Sequence, residues 1–309
     1  MRPLAIPLLL IGLASCVRDN NPSSPAHSEP LAVKKAFYCE QGKRVLTERG
    51  FMDDRCDSLL YTALWSTACG PISLNDFEDE ELPGKWHRNP ERDCYLAETG
   101  PNGSASSISR DMLLGLFHHL WSTRDLLNTA ELVDYGEKNS WIMGDAKDSE
   151  TLLSRCLLTP QLISLLKDME KSLSGFSLFR QSDSADALPV NTGYRAHLDV
   201  LRILLSGRVR GAVSDLELST LKAQAERQPG NALFVAAYEK YAGGNRATGL
   251  LLAQDYYPND RLPNTGDRCS NYINARDQEG ADWQSCAEAP LKEHDGTDFV
   301  FAAWVVLNL

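Results

Sequence analysis

The sequence predicts an all-α domain built from helical hairpins. Apolar residues recur at three- and four-residue steps along most of the chain, which is the helical period. Alternating runs rich in Val, Ile and Thr, the mark of strands, are nearly absent. Helix breakers then fall between the periodic segments, at Cys69-Gly70-Pro71, Pro83-Gly84, Gly100-Pro101-Asn102-Gly103, Gln228-Pro229-Gly230, Gly243-Gly244 and Leu262-Pro263. A chain of 309 residues with 43% hydrophobic and 24% charged residues can bury a sizeable core.

Taken in order, the chain opens with Arg2 and an apolar run from Leu4 to Leu13, followed by small residues. This is the layout of a secretory signal, and the run is too short to span a bilayer as a helix. The tetrapeptide Leu13-Ala14-Ser15-Cys16 resembles the lipobox of bacterial lipoproteins. That resemblance implies removal of residues 1–15, a diacylglycerol on the Cys16 thiol, acylation of the new amino group, and the membrane as a partner. It also implies the cell envelope as location, and Val17, where an inner-membrane protein of enteric bacteria carries Asp, points to the outer membrane. An ordinary signal peptide or a short anchor, with a chance cysteine, is the alternative reading.

Residues 16–35 contain Asn20-Asn21-Pro22-Ser23-Ser24-Pro25 and Ser28-Glu29-Pro30, and read as a flexible tether. Residues 36–309 then read as one α-helical domain. Its apolar helical segments are Leu59-Leu60 to Ala68, Met112-Leu113 to Trp121, Leu162-Ile163 to Met169, Leu198 to Leu205, and Leu233-Phe234 to Tyr241. Phe299 to Leu309 ends the chain as an eleven-residue apolar run. Two long loops are expected near 70–106 and 256–296, and Ser172 to Asn191 reads as a polar connection between halves.

Four segments share a form: Asp57-Ser58-Leu59-Leu60, Asp111-Met112-Leu113-Leu114, Asn231-Ala232-Leu233-Phe234 and Asp298-Phe299-Val300-Phe301. Each sets a short polar residue ahead of bulky apolar ones, with small residues following. Such residues belong in the first turn of any helix, where free N–H groups and the dipole favour them. Alternatively, these are equivalent inner helices whose N-terminal ends converge on one face. In that form the pattern resembles the (α/α) toroids of bacterial polysaccharide-active enzymes, as a toroid or an incomplete barrel, over roughly residues 50–309. The resemblance implies that Asp57, Asp111 and Asp298 are catalytic carboxylates facing a cleft, in a glycoside hydrolase or polysaccharide lyase. Hydrolysis needs one carboxyl kept protonated, and a helix N-terminus opposes that.

Around these stand candidate substrate-binding residues. Arg110 precedes Asp111, Trp86 and Trp283 occupy the two long loops, and His294 lies four residues before Asp298. Loop tryptophans can stack on sugars or plug the core beneath a loop. No serine-hydrolase elbow, zinc-protease motif, phosphate-binding loop or dinucleotide fingerprint is present, so no cofactor and no metal site are expected.

A net charge of −11 argues against nucleic acid as a partner. With Cys16 lipidated, seven of the eight cysteines remain, an odd number that leaves at least one unpaired. Pairing of sequence neighbours favours bridges Cys69–Cys94 and Cys269–Cys286, each closing a long loop. Three functions fit: a glycan-active envelope enzyme, a non-catalytic lipoprotein binding an envelope partner, and an inhibitory or protective lipoprotein.

Overall fold

Three helices of this chain are apolar almost all round, and that dictates their place at the centre. Helix α2 (Ser58–Cys69) buries every residue from Ser58 to Ala68, α8 (Ala232–Ala242) buries Ala232 to Ala237, and α10 (Thr297–Asn308) buries Thr297 to Ala303. Helices α3 (Arg110–Thr123) and α6 (Ala196–Arg210) join them, burying Met112–Leu120 and most of Ala196–Val209. The remaining helices bury a single face. They are α1 (Pro25–Arg49), α4 (Leu126–Lys138), α5 (Pro160–Leu173), α7 (Asp215–Arg227) and α9 (Arg246–Leu252). The structure, a computed structural model, describes residues 25–52, 56–92, 94, 106–145, 156–175, 190–192, 195–253, 257–264, 272–273 and 294–308. Among these, the secondary structure is ten α-helices, one 3-10 turn (Asn75–Phe77) and two isolated bridges, with no strand. No described helix is long and apolar enough to cross a membrane.

The five central helices are neighbours in a cycle: α2 packs on α3, α3 on α6, α6 on α8, α8 on α10, and α10 back on α2. Cross-contacts show that they run the same way. Gly115 of α3 meets Leu60 of α2, and further along His119 meets Ser66. Likewise Asp111 meets His197, His118 meets Leu201 and Ser122 meets Arg208, so α3 and α6 are parallel. Helix α10 follows, with Phe301 against His118 and Trp304 against Arg208. Helix α8 starts beside α10, both holding Tyr272, and ends with Tyr241 against Gly207 of α6. All five N-terminal ends therefore lie at one end of the domain. The α2–α3 contact is close enough to need glycine: a Cβ at Gly115 would stand 3.0 Å from the Leu60 oxygen.

Capping residues start the outer helices. The Asp125 side chain accepts from Asn128 N at α4, and Thr159 accepts from Leu162 N at α5, where Pro160 fills the first turn. Ser214 and Glu217 form a reciprocal capping box at α7.

Three expectations need correction. The folded body begins before Ala36: α1 starts at Pro25, and Leu31, Lys34 and Tyr38 form one buried stripe on it. The tether is thus shorter than 16–35, because the prolines at 25 and 30 sit within the first turns of a helix rather than in open chain. Cys69 and Cys94 are both bonded, but not to each other. Helix α1 runs antiparallel to α2, with Lys35 at Ala68, Gly42 at Trp65 and Met52 at Thr62, which sets Cys39 on Cys69 with Cα atoms 5.5 Å apart. The loop after α2 doubles back so that Arg88 O accepts from Leu59 N at 3.0 Å, which brings Cys94 to Cys56. Cys269, Cys286, Cys16, residues 1–15 and residues 16–24 lie outside the described residues. Finally, Trp86 is 1% exposed and belongs to the core, so it plugs the fold beneath its loop and offers no face to a substrate.

Candidate functional site

The N-terminal end of the central helices gathers the polar residues that the sequence singled out. Each helix uses a first-turn side chain or backbone group there to hold an incoming loop. At α2, the Ser58 hydroxyl and Leu59 N both donate to Arg88 O, at 2.8 and 3.0 Å. At α6, Asp199 accepts from Asn191 N at 2.8 Å and from its side-chain amide at 2.6 Å. Gln224 of α7 adds a donor to the same carboxylate and to Asn191 O. At α8, Asn231 Nδ2 donates to Tyr272 O at 2.9 Å. At α10, Asp298 accepts from Tyr272 N at 2.7 Å and from the Tyr257 hydroxyl. The Tyr272 backbone is thus clamped, through its O and N, between the starts of α8 and α10.

Asp57 and Asp111 come together around Arg88, whose side chain is buried. Its Nε donates to Ser106 O at 2.8 Å and its Nη1 to Cys56 O at 3.2 Å. The same Nη1 lies 3.6 Å from Asp57 Oδ1 and 3.6 Å from Met112 Sδ, beside Asp111. Asp111 accepts from the Ser109 hydroxyl, and its other oxygen stands 3.5 Å from His197 Nε2. That separation is long for a hydrogen bond, so the pairing is electrostatic. Burial would raise the Asp111 carboxyl, but His197, the Ser109 hydroxyl and the Arg88 charge together hold it well below the usual carboxylate range. An acid held ionised in this way can accept a proton or a hydrogen bond, but it cannot protonate a leaving group near neutral pH.

Asp298 is 2% exposed, and its Oδ2 accepts from Tyr272 N and the Tyr257 hydroxyl. Arg110 donates to Leu157 O at 3.1 Å and so ties the start of α3 to the chain before α5. His294 N donates to Pro263 O. Trp283 lies outside the described residues. Cys156 is the free cysteine among the described residues; it is buried, and burial pushes its thiol up to about 12, which removes it as a nucleophile. No group of three His, Cys, Asp or Glu side chains able to hold a metal ion occurs among the described residues.

Sequence reasoning missed two members of this cluster. Arg88 was visible only as a cation in the loop triplet Trp86-His87-Arg88, and nothing local indicated that its guanidinium would be buried. His197 is 3% exposed with no hydrogen-bond partner at either ring nitrogen, and its place one residue into α6 was its only signal. No protein-family model, curated protein or solved structure matches this chain.

Proposed function

We propose that this chain is a bacterial envelope lipoprotein, anchored through the lipid on Cys16 at the outer membrane, whose helical domain binds an envelope partner and does not turn over glycan. The observation that carries the second half is the employment of the three carboxylates. Asp57 faces Arg88, Asp111 is held ionised by Ser109, His197 and Arg88, and Asp298 is buried against Tyr257 and Tyr272. Asp57 and Asp298 hold loops to helix ends and Asp111 faces α6, whereas glycoside hydrolysis would need a carboxyl that carries a proton. The parallel cycle of five helices supports the likeness to an (α/α) toroid, and on this reading the toroid serves as a scaffold.

A hydrolase or lyase remains the second reading. One observation favours it: the buried ring of His197, which makes no hydrogen bond at either nitrogen, lies 3.5 Å from Asp111. The test is turnover of purified wall and capsular glycans by the secreted protein, beside Asp57→Asn, Asp111→Asn and Asp298→Asn. We expect no turnover by any of them; activity that is lost in Asp111→Asn would refute the binding reading. Metabolic labelling with a fatty acid tests the anchor, and labelling that persists in Cys16→Ala would overturn it.

A further inference from the structure

The opposite end of the domain, where the central helices finish, has a different chemistry. Two arginines lie on tryptophan faces there: Arg124 over Trp121 at 4.6 Å, and Arg208 over Trp304 at 4.6 Å. Ser122, next to Trp121, accepts from Arg208 Nη2 at 2.8 Å and links the two pairs. Neither guanidinium has a carboxylate partner among the described residues, although the chain as a whole carries a charge of −11. Neighbouring acids are already engaged, Asp125 in capping α4 and Asp168 with Arg210. Asp215 stands in the first turn of α7.

Exposed apolar side chains lie at the same end. Leu126 and Leu127 open α4 after the Asp125 cap that follows Arg124, and Leu127 is 68% exposed. Leu216 is exposed in the first turn of α7. Because α7 runs antiparallel to α6, with Glu217 at Arg202 and Gln224 at Asp199, that turn lies at the same end. Exposed leucines, half-buried tryptophans and uncompensated arginines form the composition of a membrane-interface surface.

The anchor helix begins on this side. Lys35 and Cys39 sit at the C-terminal end of α2, and α1 runs antiparallel to it. Ten helical residues separate Pro25 from Lys35, a rise of about 15 Å, so α1 starts toward and beyond this end. The nine residues 16–24 reach at most about 30 Å when extended.

From charge complementarity and from where the tether enters, we infer that this face, carrying Trp121, Arg124, Leu127, Arg208, Leu216 and Trp304, docks on a lipid bilayer rich in anionic headgroups. The orientation rests on the proposed anchor at Cys16; the chemistry of the face does not. Docking turns the N-terminal end, with its clamped loops, away from the membrane and toward a partner.

The test uses residues 17–309, which contain every described helix and lack both the signal and the lipidated cysteine. The protein is floated with vesicles of phosphatidylcholine alone, or with phosphatidylglycerol added. Binding is expected only with the anionic lipid, and it should weaken as salt rises. Arg124→Gln should lower partitioning about five-fold, and Leu127→Ser about ten-fold. Leu157→Ser, at the other end of the domain, should leave it unchanged, with near-UV circular dichroism confirming the fold of each variant. Absence of binding to anionic vesicles overturns the inference, as does binding indifferent to Arg124→Gln and Leu127→Ser. Because this protein carries no lipid, that failure is distinct from failure of the anchor, which fatty-acid labelling reads separately.

Discussion

Replacing His118 by glutamine tests whether a buried, neutral ring sets the acid limit of this fold. The ring is wholly buried in α3. Its Nε2 lies 2.9 Å from Leu201 O, and its Nδ1 3.2 Å from Arg208 Nη1. A guanidinium can only donate, so Nδ1 is the acceptor and Nε2 carries the proton given to Leu201. A second proton would have to enter facing Arg208. Burial, then the Arg208 charge, push the ring down to about 3 against an ordinary value of 6.5. The unfolded chain therefore binds a proton between those values that the folded chain refuses, and stability is lost as pH falls through that window. Between pH 7.5 and 5.0 this ring alone should cost about 2 kcal/mol. His119, pushed down to about 4 by burial, adds a cost of the same order. Glutamine can give its amide N–H to Leu201 and accept from Arg208, yet it does not titrate. In urea unfolding at both pH values, the His118→Gln protein should lose about 2 kcal/mol less than the parent, or about 4 °C less in melting temperature. Equal losses in the two proteins would refute the assignment, as would an imidazole resonance of His118 titrating near pH 6.

Arg88→Met should destabilise by about 3–5 kcal/mol, read as a lower urea midpoint, because it strands Asp57 and the Ser106 and Cys56 carbonyls. Gly115→Ala should lower the melting temperature: wedging a methyl against the Leu60 backbone costs about 1–3 kcal/mol, against about 1 kcal/mol gained in helix propensity. Tyr272 N and the Tyr257 hydroxyl share Oδ2 of Asp298, so Asp298→Asn can keep both on its amide oxygen and loses only the charge that strengthens them; it should cost about 1 kcal/mol, checked by chemical denaturation. Unreduced peptide mapping should return Cys39–Cys69 and Cys56–Cys94, with Cys156 alkylated only in denaturant. Removing the first bridge, which spans 30 residues, should cost about 3–4 kcal/mol.

The central helices were legible because their sequences are apolar all round or nearly so, as in Leu59 to Ala68 and Phe299 to Ala303. Helices α4, α7 and α9 were not singled out, and their composition explains why. Helix α7 buries only Glu217, Leu221, Gln224 and Ala225, two of them polar, so its apolar period is faint. Convergence of the helix N-termini was legible from the repeated Asp/Asn pattern. The role of those residues was not, because their partners are remote in sequence: the Tyr272 backbone for Asp298 and Asn231, Arg88 for Asp57 and His197 for Asp111. Spacing within one helix carries no information about such contacts. Cysteine pairing failed for the same reason, since the antiparallel register of α1 on α2 is set by side chains such as Tyr38 and Trp65, not by distance along the chain.

The bridge between Cys39 and Cys69 has a mechanical consequence. Tension applied at the start of α1 runs down the helix to residue 39, where one route crosses to residue 69 through a covalent bond. A second route runs along residues 40–56 and crosses from Cys56 to Cys94, so the residues bypassed by the load are 57–68, nearly all of α2. The most buried helix of the domain is therefore shielded from pulling at the N-terminal side. A force large enough to unfold the protein from that direction must first be borne by the helices that follow Cys69.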